Sequence, residues 1–319
     1  MHTISENMSE KVFNNDKKSV SRIISKIETG NSNSIEILKE LHKNTGRAYR
    51  IGITGPPGAG KSTLTNQITK YYRQQNKTVG IIAVDPTSPF TGGALLGDRV
   101  RMSEIGCDDG VFIRSMATRG SFGGLSRKTI DAADVLDAAG YEIIIFETVG
   151  VGQSELDIAK AADTTIVVLI PESGDSIQAM KAGLMEIADF FVLNKSDRQG
   201  ADTAITAIRT ILMFKNHSDK DWKPTIIKAI ASENGGTKDI VDEIERHKNY
   251  LLNNEMLQKN RQKNYKVRIK EIVEELIKDE LWKDHRDKSL EESIVKVTIG
   301  ETSPYQVAET LFREFKSSI

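Results

Sequence analysis

The stretch Gly55-Pro-Pro-Gly-Ala-Gly-Lys-Ser-Thr63 decides the fold of this 319-residue chain. It follows the apolar run Ile51-Gly-Ile53 and leads into Thr63 to Tyr72, a segment with helical spacing. Glycine, four residues, then glycine, lysine and serine is the pattern of a phosphate-binding loop between a strand and a helix. Its glycines let consecutive backbone N–H groups turn toward one anion, and the helix adds its positive end. The stretch predicts that the chain binds a nucleoside triphosphate, and it leaves the base open.

Each residue of this loop is expected to contact the nucleotide. Lys61 places a positive charge on the β- and γ-phosphates, which also makes it a predicted catalytic residue. The hydroxyl of Ser62 is suited to ligate Mg²⁺. A chance glycine-rich turn is the alternative, and the strand–loop–helix context disfavours it. The predicted nucleotide-binding residues of the loop are Gly55, Pro56, Pro57, Gly58, Ala59, Gly60, Lys61, Ser62 and Thr63.

Short apolar runs rich in β-branched residues recur through residues 46–252, and helix-like segments lie between most of them. This alternation is typical of a doubly wound α/β fold, with a mostly parallel sheet buried on both faces. The predicted strands are Tyr49–Ile53, Val79–Val84, Gly110–Ile113, Glu142–Phe146, Thr165–Ile170, Phe190–Leu193 and Thr225–Ile230.

Helical segments are predicted on both sides of this core. Residues 1–45 form an N-terminal helical extension, in which residues 1–18 are expected to be loosely ordered because they are polar. Residues 253–319 form a C-terminal helical region that begins with a long amphipathic helix over 255–287. We interpret this helix as a dimerisation arm that reaches a second subunit, and packing on its own core is the alternative. A last helix is expected around Tyr305–Phe315. The apolar stripe of the long helix consists of Ile269, Ile272, Val273, Leu276 and Ile277.

Composition narrows the class of protein. The chain is 38% hydrophobic and 28% charged, which suits a globular protein, and its net charge of −1 offers no field for nucleic acid or an anionic membrane. The one cysteine, Cys107, allows no intramolecular disulfide. No apolar run approaches the roughly 18 residues that a membrane helix needs. We expect a cytoplasmic protein without nucleic-acid or membrane partners.

The base is indicated by Asn194-Lys195-Ser196-Asp197, directly after the buried run Phe190–Leu193. An aspartate accepts from the N1 and N2 donors of guanine, whereas adenine would leave that charge unpaired. We expect Asn194 to bridge the purine and the phosphate loop, and the Lys195 stem to lie over the ring. A backbone N–H of the loop Ala231-Ser232-Glu233 is expected to face guanine O6. The pattern favours GTP over ATP.

Three acids lie at predicted strand ends or in loops of the same core, namely Asp85, Asp98 and Glu147. Mg²⁺ prefers oxygen ligands and keeps several waters, so these carboxylates are predicted to hold it with Ser62, directly or through water. Asp98 and Glu147 are also predicted to be catalytic. The N–H of Gly150 is expected to contact the γ-phosphate, and loops ordered by that phosphate are a common switch.

Hydrolysis is predicted to be slow. A glutamine near this position orients water in many small GTPases, but here Gln153 comes six residues after Glu147. Arg114, Arg119 and Arg127 surround a glycine-rich segment, and one of them is a candidate for a charge-stabilising arginine. A surface or partner contact is the favoured alternative for all three.

Together these motifs resemble the methylmalonyl-CoA mutase-associated GTPases of the MeaB/ArgK type. The resemblance runs from about Ser19 to the C-terminus. It implies a homodimer of the signal-recognition-particle-like (SIMIBI) branch of P-loop GTPases. The segments that carry it are GITGPPGAGKST, VDPTSPFTGGALLGDRVRM, FIRSMATRGSFGGLSRKT, FETVGVGQSE and NKSD, in that order.

The resemblance implies a chaperone of an adenosylcobalamin-dependent acyl-CoA mutase, with methylmalonyl-CoA mutase favoured. Such proteins use GTP to gate cofactor delivery and to protect or reactivate the mutase, and the cobalamin belongs to the client. The family pattern places Asp85, Asp98 and Glu147 at metal and switch positions, and residues 174–185 at a third switch.

Other classes of P-loop protein fit the sequence less well. A metal-insertion GTPase calls for a His/Cys cluster, and the chain has five scattered His and one Cys. A small-molecule kinase would not need the Asn-Lys-x-Asp element. A protein-targeting GTPase would be expected to have a methionine-rich domain, and the eight methionines are scattered.

Overall fold

The computed structural model describes residues 2–31, 33–85, 103–117, 127–148, 154–171, 183–213, 222–282 and 284–317. The chain divides into two compact units, Met1–Asn260 and Arg261–Ile319. The first unit contains the predicted α/β core. The finer division at 45/46 and 252/253 stays a prediction.

The first unit is built on a seven-stranded sheet in which every strand pair is parallel. The strand order β3-β2-β4-β1-β5-β6-β7 puts the first strand at the centre. The seven predicted strands and the doubly wound α/β class are confirmed, although the last strand is shorter than predicted. The strands are β1 Tyr49–Thr54, β2 Val79–Asp85, β3 Val111–Ala117, β4 Ile143–Thr148, β5 Thr164–Leu169, β6 Phe190–Leu193 and β7 Ile226–Lys228.

Helices cover both faces of this sheet. They are α1 His2–Phe13, α2 Lys17–Glu28, α3 Asn33–Leu41, α4 Lys61–Gln74, α5 Ser103–Gly106, α6 Arg127–Ala138, α7 Ser154–Ala161, α8 Met185–Ile187, α9 Ala201–Met213 and α10 Thr237–Asn253. Helices α4 and α10 pack on one face, while α2, α3, α6 and α7 pack on the other. Because both faces are covered, β4, β5 and β6 are buried at every position, which explains the continuous apolar runs that make up most of each strand.

The N-terminal segment is more ordered than its polar composition suggests. The expectation of loose order over residues 1–18 was wrong for helix α1 and the start of α2. Val12 is fully buried in the core cluster that also contains α2 and α3, and the Ser9 hydroxyl donates to Glu40 at 2.7 Å. A few apolar residues on one helix face were enough to dock the segment, because the rest of the core supplied their partners.

The second unit is helical. The predicted long helix is confirmed as α11 Met256–Leu281, followed by α12 Asp284–Thr298 and α13 Pro304–Ser317. Helix α11 begins four residues before the end of the first unit. Within the second unit the Arg286 guanidinium lies 5.2 Å from the centre of the Phe315 ring. In the described part of the chain, no helix is both long enough and apolar enough to span a bilayer.

Candidate nucleotide-binding site

The phosphate loop leaves the sheet at its centre. Strand β1 lies between β4 and β5, with Ile53 opposite Glu147 and Thr54 opposite Val167. Open parallel sheets bind ligands at the carboxyl ends of their strands, where the loops meet. The loop that follows β1 therefore lies at the carboxyl end of the sheet, where β2, β4 and β6 also end.

Two glycines of the loop lie too close to neighbouring groups for any side chain. Gly55 has φ 139°, and a Cβ there would lie 2.1 Å from the Val168 carbonyl oxygen. Gly60 has φ 86°, and a Cβ there would lie 2.3 Å from the Asn194 side-chain nitrogen. The loop is thus seated against β5 on one side and the Asn-Lys-x-Asp element on the other. Such a tight backbone turn is what phosphate binding by N–H groups needs.

Lys61 is the first residue of α4 and is only 6% exposed. Its ammonium group donates to the Gly55 carbonyl at 2.6 Å and to the Pro56 carbonyl at 2.9 Å. The side chain therefore folds back over the loop and holds a positive charge inside its curve. Lysine is suited to phosphate as a compact point charge on a long stem.

Ser62 and Glu147 meet directly. The Ser62 hydroxyl donates to the Glu147 carboxylate, which is buried at the carboxyl end of β4. Next to it the Thr148 hydroxyl donates to the Thr54 hydroxyl at 3.1 Å and joins β4 to β1. A hydroxyl oxygen beside a carboxylate is the kind of ligand set that Mg²⁺ prefers, so these two residues fit the predicted metal.

The other predicted switch and metal residues are only partly described. Asp85 is the last residue of β2, one position beyond Val84, which pairs with Thr148 of β4. The backbone of Asp85 therefore lies at the same carboxyl end of the sheet as Glu147. Asp98, Gly150 and residues 174–182 of the predicted third switch lie outside the described residues.

Asn194 joins the predicted guanine element to the phosphate loop. Its side-chain NH₂ donates to the Ala59 carbonyl at 2.8 Å, and its side-chain oxygen accepts from the Ala231 N–H at 3.0 Å. Lys195 donates to the Gly58 carbonyl at 2.9 Å. One carboxamide thus spans the two loops on which a purine nucleotide would rest.

Asp197 is exposed, and the described part of the chain offers its carboxylate no hydrogen bond or ion pair. The side chain is therefore available to a ligand.

The loop Ala231–Glu233 is a single turn of 3₁₀ helix after β7. A pair of backbone hydrogen bonds between Ile230 and Gly235 closes the loop. The side chain of Gln67, on α4, donates to the Ala231 carbonyl at 3.2 Å. Sequence reasoning missed Gln67, because a polar residue within an amphipathic helix carries no signal of the loop it meets.

The two candidate arginines that the structure describes, Arg114 and Arg127, form their contacts away from the phosphate loop. Arg114, in the middle of β3, pairs with the Glu28 carboxylate and donates to the Ser25 hydroxyl at 3.0 Å. Arg127 lies 4.0 Å from the Asp131 carboxylate, within α6. Arg119 lies outside the described residues. The structure therefore gives Arg114 a role in holding α2 against the sheet.

Several known proteins are similar to this chain in sequence or in fold. A putative GTPase of Pyrococcus abyssi is 44% identical over 96% of this chain and 95% of its own length. The methylmalonic aciduria type A homolog of Mus musculus, a mitochondrial protein, is 35% identical over 86% of this chain and 68% of its own length. A crystal structure described as an LAO/AO transport system kinase superposes with a TM-score of 0.72 at 24% identity, covering 99% of both chains, and supports the fold.

The family profile described as methylmalonyl Co-A mutase-associated GTPase MeaB matches residues 20–286, which include most of the first unit, the start of the second, the phosphate loop and the Asn-Lys-x-Asp element. The chain therefore belongs to the family of methylmalonyl-CoA mutase-associated GTPases of the MeaB type, and it is a GTPase.

Proposed function

We propose that this GTPase is a chaperone of an adenosylcobalamin-dependent acyl-CoA mutase, with methylmalonyl-CoA mutase as the favoured client. It would use GTP binding and slow hydrolysis to gate cofactor delivery and to protect or reactivate the mutase. The observation that carries the nucleotide part is the Asn194 carboxamide, which ties the phosphate loop to the Ala231 loop. The family description, which names the mutase, supports the partner.

Residues of the phosphate loop would hold the triphosphate. The backbone N–H groups of residues 58–63 would surround the phosphates, and the Lys61 ammonium would stabilise the negative charge that develops during transfer. That ammonium now contacts the Gly55 and Pro56 carbonyls, so it lies within the loop that the phosphates would enter. The N–H of Gly150 is proposed to contact the γ-phosphate.

Ser62 and Glu147 would hold the magnesium ion. Because the Ser62 hydroxyl donates its proton to Glu147, the lone pairs of the Ser62 oxygen remain available to a cation. When bound, Mg²⁺ would neutralise charge on the β- and γ-phosphates. Asp85 and Asp98 are proposed as further carboxylates on the metal side, acting directly or through water.

Three groups would read the guanine base. Asp197 accepts from N1 and N2, and the Lys195 stem covers the ring. The third group is a backbone N–H directed at O6, for which Ser232 is the candidate: the Ala231 N–H already donates to Asn194. Within the described residues the Ser232 N–H makes no hydrogen bond.

The C-terminal helices are proposed to form a homodimer. Exposed apolar side chains along α11 support this proposal, since a stripe of this kind on a monomer surface marks an interaction site. We propose a cytoplasmic protein with no nucleic-acid or membrane partner. The exposed stripe residues include Ile269, Val273, Leu276 and Ile277.

The first experiment measures nucleotide choice. Dissociation constants of the purified chain for GDP, ADP, GTP and ATP are compared with and without Mg²⁺. We expect guanine nucleotides to bind at least a hundredfold more tightly, because adenine leaves Asp197 unpaired. Equal affinity for ATP would refute guanine recognition.

The second experiment measures the client. Methylmalonyl-CoA mutase is mixed with the chain in the presence of GDP or a non-hydrolysable GTP analogue, and complex formation and GTP turnover are recorded. We expect a complex that depends on the nucleotide and faster hydrolysis when the mutase is present. An isobutyryl-CoA-type mutase serves as the comparison client. No complex and no stimulation with either mutase would overturn the chaperone role while leaving nucleotide choice untouched.

A further inference from the structure

We propose that Gln67 is a positioning residue for base recognition, which aims the Ser232 N–H at the 6-oxo group of guanine. The inference rests on the proposed binding of a guanine nucleotide at this site. Gln67 is outside the phosphate loop, one helical turn after Thr63 on α4. It would act on the base through the Ala231 loop and would not touch the nucleotide itself.

The Ala231 residue is held at both of its backbone polar groups. Its N–H donates to the Asn194 side chain at 3.0 Å. Its carbonyl accepts from the Gln67 side chain at 3.2 Å and, at the longer distance of 3.4 Å, from the Asn234 N–H. Ala231 is 2% exposed, so water is poorly placed to replace either contact. Without Gln67 this buried carbonyl would keep only the longer contact with the Asn234 N–H, and the loop would shift to improve the hydrogen bonding of the carbonyl.

Because of the geometry of the peptide bond, the contact between Gln67 and the Ala231 carbonyl also sets the direction of the Ser232 N–H. The Ala231 carbonyl and the Ser232 N–H belong to the same planar trans peptide, so they point in opposite directions. When Gln67 fixes the carbonyl toward α4, the Ser232 N–H is fixed away from α4. Rotation of this peptide would misdirect the N–H without breaking any contact to the phosphates.

The other contacts of the loop fix its base and its back, and they leave the orientation of the Ala231–Ser232 peptide to be set separately. Backbone hydrogen bonds of 2.9 and 3.0 Å between Ile230 and Gly235 close the base of the loop. Behind it Gly236 is pressed against β7, where a Cβ would lie 2.4 Å from the Lys228 carbonyl oxygen. Asn194 then holds the Ala231 N–H, while the Gln67 side chain and the longer contact of the Asn234 N–H decide how the Ala231 carbonyl is turned.

The test uses two diphosphates that differ at the position in question. GDP has the 6-oxo group, whereas the 5′-diphosphate of 2-aminopurine riboside lacks it. We expect Gln67→Met, which keeps the size of the side chain and removes its donor, to weaken GDP binding about three- to tenfold. Binding of the 2-aminopurine nucleotide should change less than twofold, because it has no 6-oxo group to lose.

Two further variants complete the design. Gln74→Met makes the same change at the exposed end of α4 and should leave both affinities as in the wild type. Gln67→Lys restores an N–H donor of similar reach and should bring the GDP to 2-aminopurine affinity ratio back to the wild-type value. Thermal unfolding of each variant checks that it is folded.

Equal weakening of both nucleotides by Gln67→Met would show a general structural role and overturn the inference, as would no weakening of GDP. A wild-type protein that binds ADP as tightly as GDP would instead overturn the proposed guanine recognition, so the two failures are distinguishable.

Discussion

Asp197 and Asn194 come from one four-residue element, yet the structure separates their tasks. Asn194 is 3% exposed and has partners on two loops, whereas Asp197 is exposed and available to a ligand. Substitution of Asn194 would therefore disturb the fold of the site, and substitution of Asp197 would change only what the site binds. Asp197 is the better residue for a test of base recognition.

We expect Asp197→Asn to weaken GTP binding roughly ten- to a hundredfold, because a hydrogen-bonded charge is lost at the base. An amide donates where the carboxylate accepted, so the variant should bind xanthosine triphosphate more tightly than the wild type does. Equilibrium binding of both triphosphates measures the exchange. Thermal unfolding should be unchanged, and an unaltered GTP affinity would rule out the base-reading role.

At the scale of elements, the connection from β1 to α4 depends on Gly55. A Cβ at Gly55 would meet the Val168 carbonyl of β5, which is backbone and cannot move away. We expect Gly55→Ala to lower the free energy of unfolding by about 2–5 kcal/mol, through positive φ and overlap together. Chemical denaturation followed by circular dichroism measures this change.

Gly140 supplies the matched control, since it has φ 89° and a Cβ there would have no atom within 4 Å. Gly140→Ala should cost only about 1–2 kcal/mol, from the backbone conformation. Equal losses for the two variants would show that contact with β5 is not what requires glycine at position 55.

At the amino end of the strands, opposite the phosphate loop, a series of buried polar contacts connects α10 to the sheet. The Tyr49 and Thr164 hydroxyls lie 2.5 Å apart, Thr164 lies 2.8 Å from His247 Nδ1, and His247 Nε2 lies 3.4 Å from the Asp189 carboxylate. Burial lowers the pKa of His247 to about 4, although Glu243 and Asp163 act in the opposite direction. The imidazole is therefore neutral in the folded protein at neutral pH.

This pKa predicts the sign of a pH dependence. Below pH 6.5 the unfolded chain protonates His247 while the folded chain does not, so the stabilisation present above pH 6.5 is lost as the pH falls toward 4. The loss amounts to at most about 3 kcal/mol. Asp189 contributes with the opposite sign between pH 3.8 and 7, because burial raises its pKa to about 7.

Comparing the free energy of unfolding of the wild type with that of His247→Gln isolates the contribution of the histidine to the pH dependence. The stability of the wild type minus that of the variant should rise between pH 4 and 6.5 and stay level above that range. Denaturation curves at several pH values measure the difference, and a constant difference would contradict a buried neutral histidine.

At the scale of the whole molecule, the C-terminal region is predicted to control assembly. Leu257, at the start of α11, packs in the core of the first unit, so a truncation should keep residues 1–260. We expect the full chain to be a dimer and the truncated chain a monomer by light scattering, because the exposed apolar side chains of α11 are removed.

Point substitutions provide the control for this truncation. Ile269→Glu with Leu276→Glu, both on exposed sites of α11, should also give monomers, while Glu271→Gln should not. The monomers should still bind GTP, since the phosphate loop lies in the first unit. A truncated chain that remains dimeric would refute the interpretation of α11 as a dimerisation arm.

Sequence patterns predicted the strands well and the polar contacts poorly. The runs such as Phe190–Leu193 were recognisable because a strand buried on both faces must be apolar throughout. The start of the chain was misjudged, since Val12 finds its partners only in the assembled core. Gln67 and His247 gave no sequence signal, because each acts through a residue more than 80 positions away.

The sequence by itself determined the order of strands and helices, the phosphate loop, the guanine element and the family, because each depends on residue types at short spacing. Only the tertiary structure decided that Ser62 meets Glu147, that Asn194 joins Ala59 to Ala231, and that Arg114 turns to α2. These contacts depend on strand order, which places β4 beside β1, β6 two strands away from β1, and β3 at one edge of the sheet. The stretch from Gly55 to Thr63 therefore predicted a phosphate site, and the fold placed the residues around it.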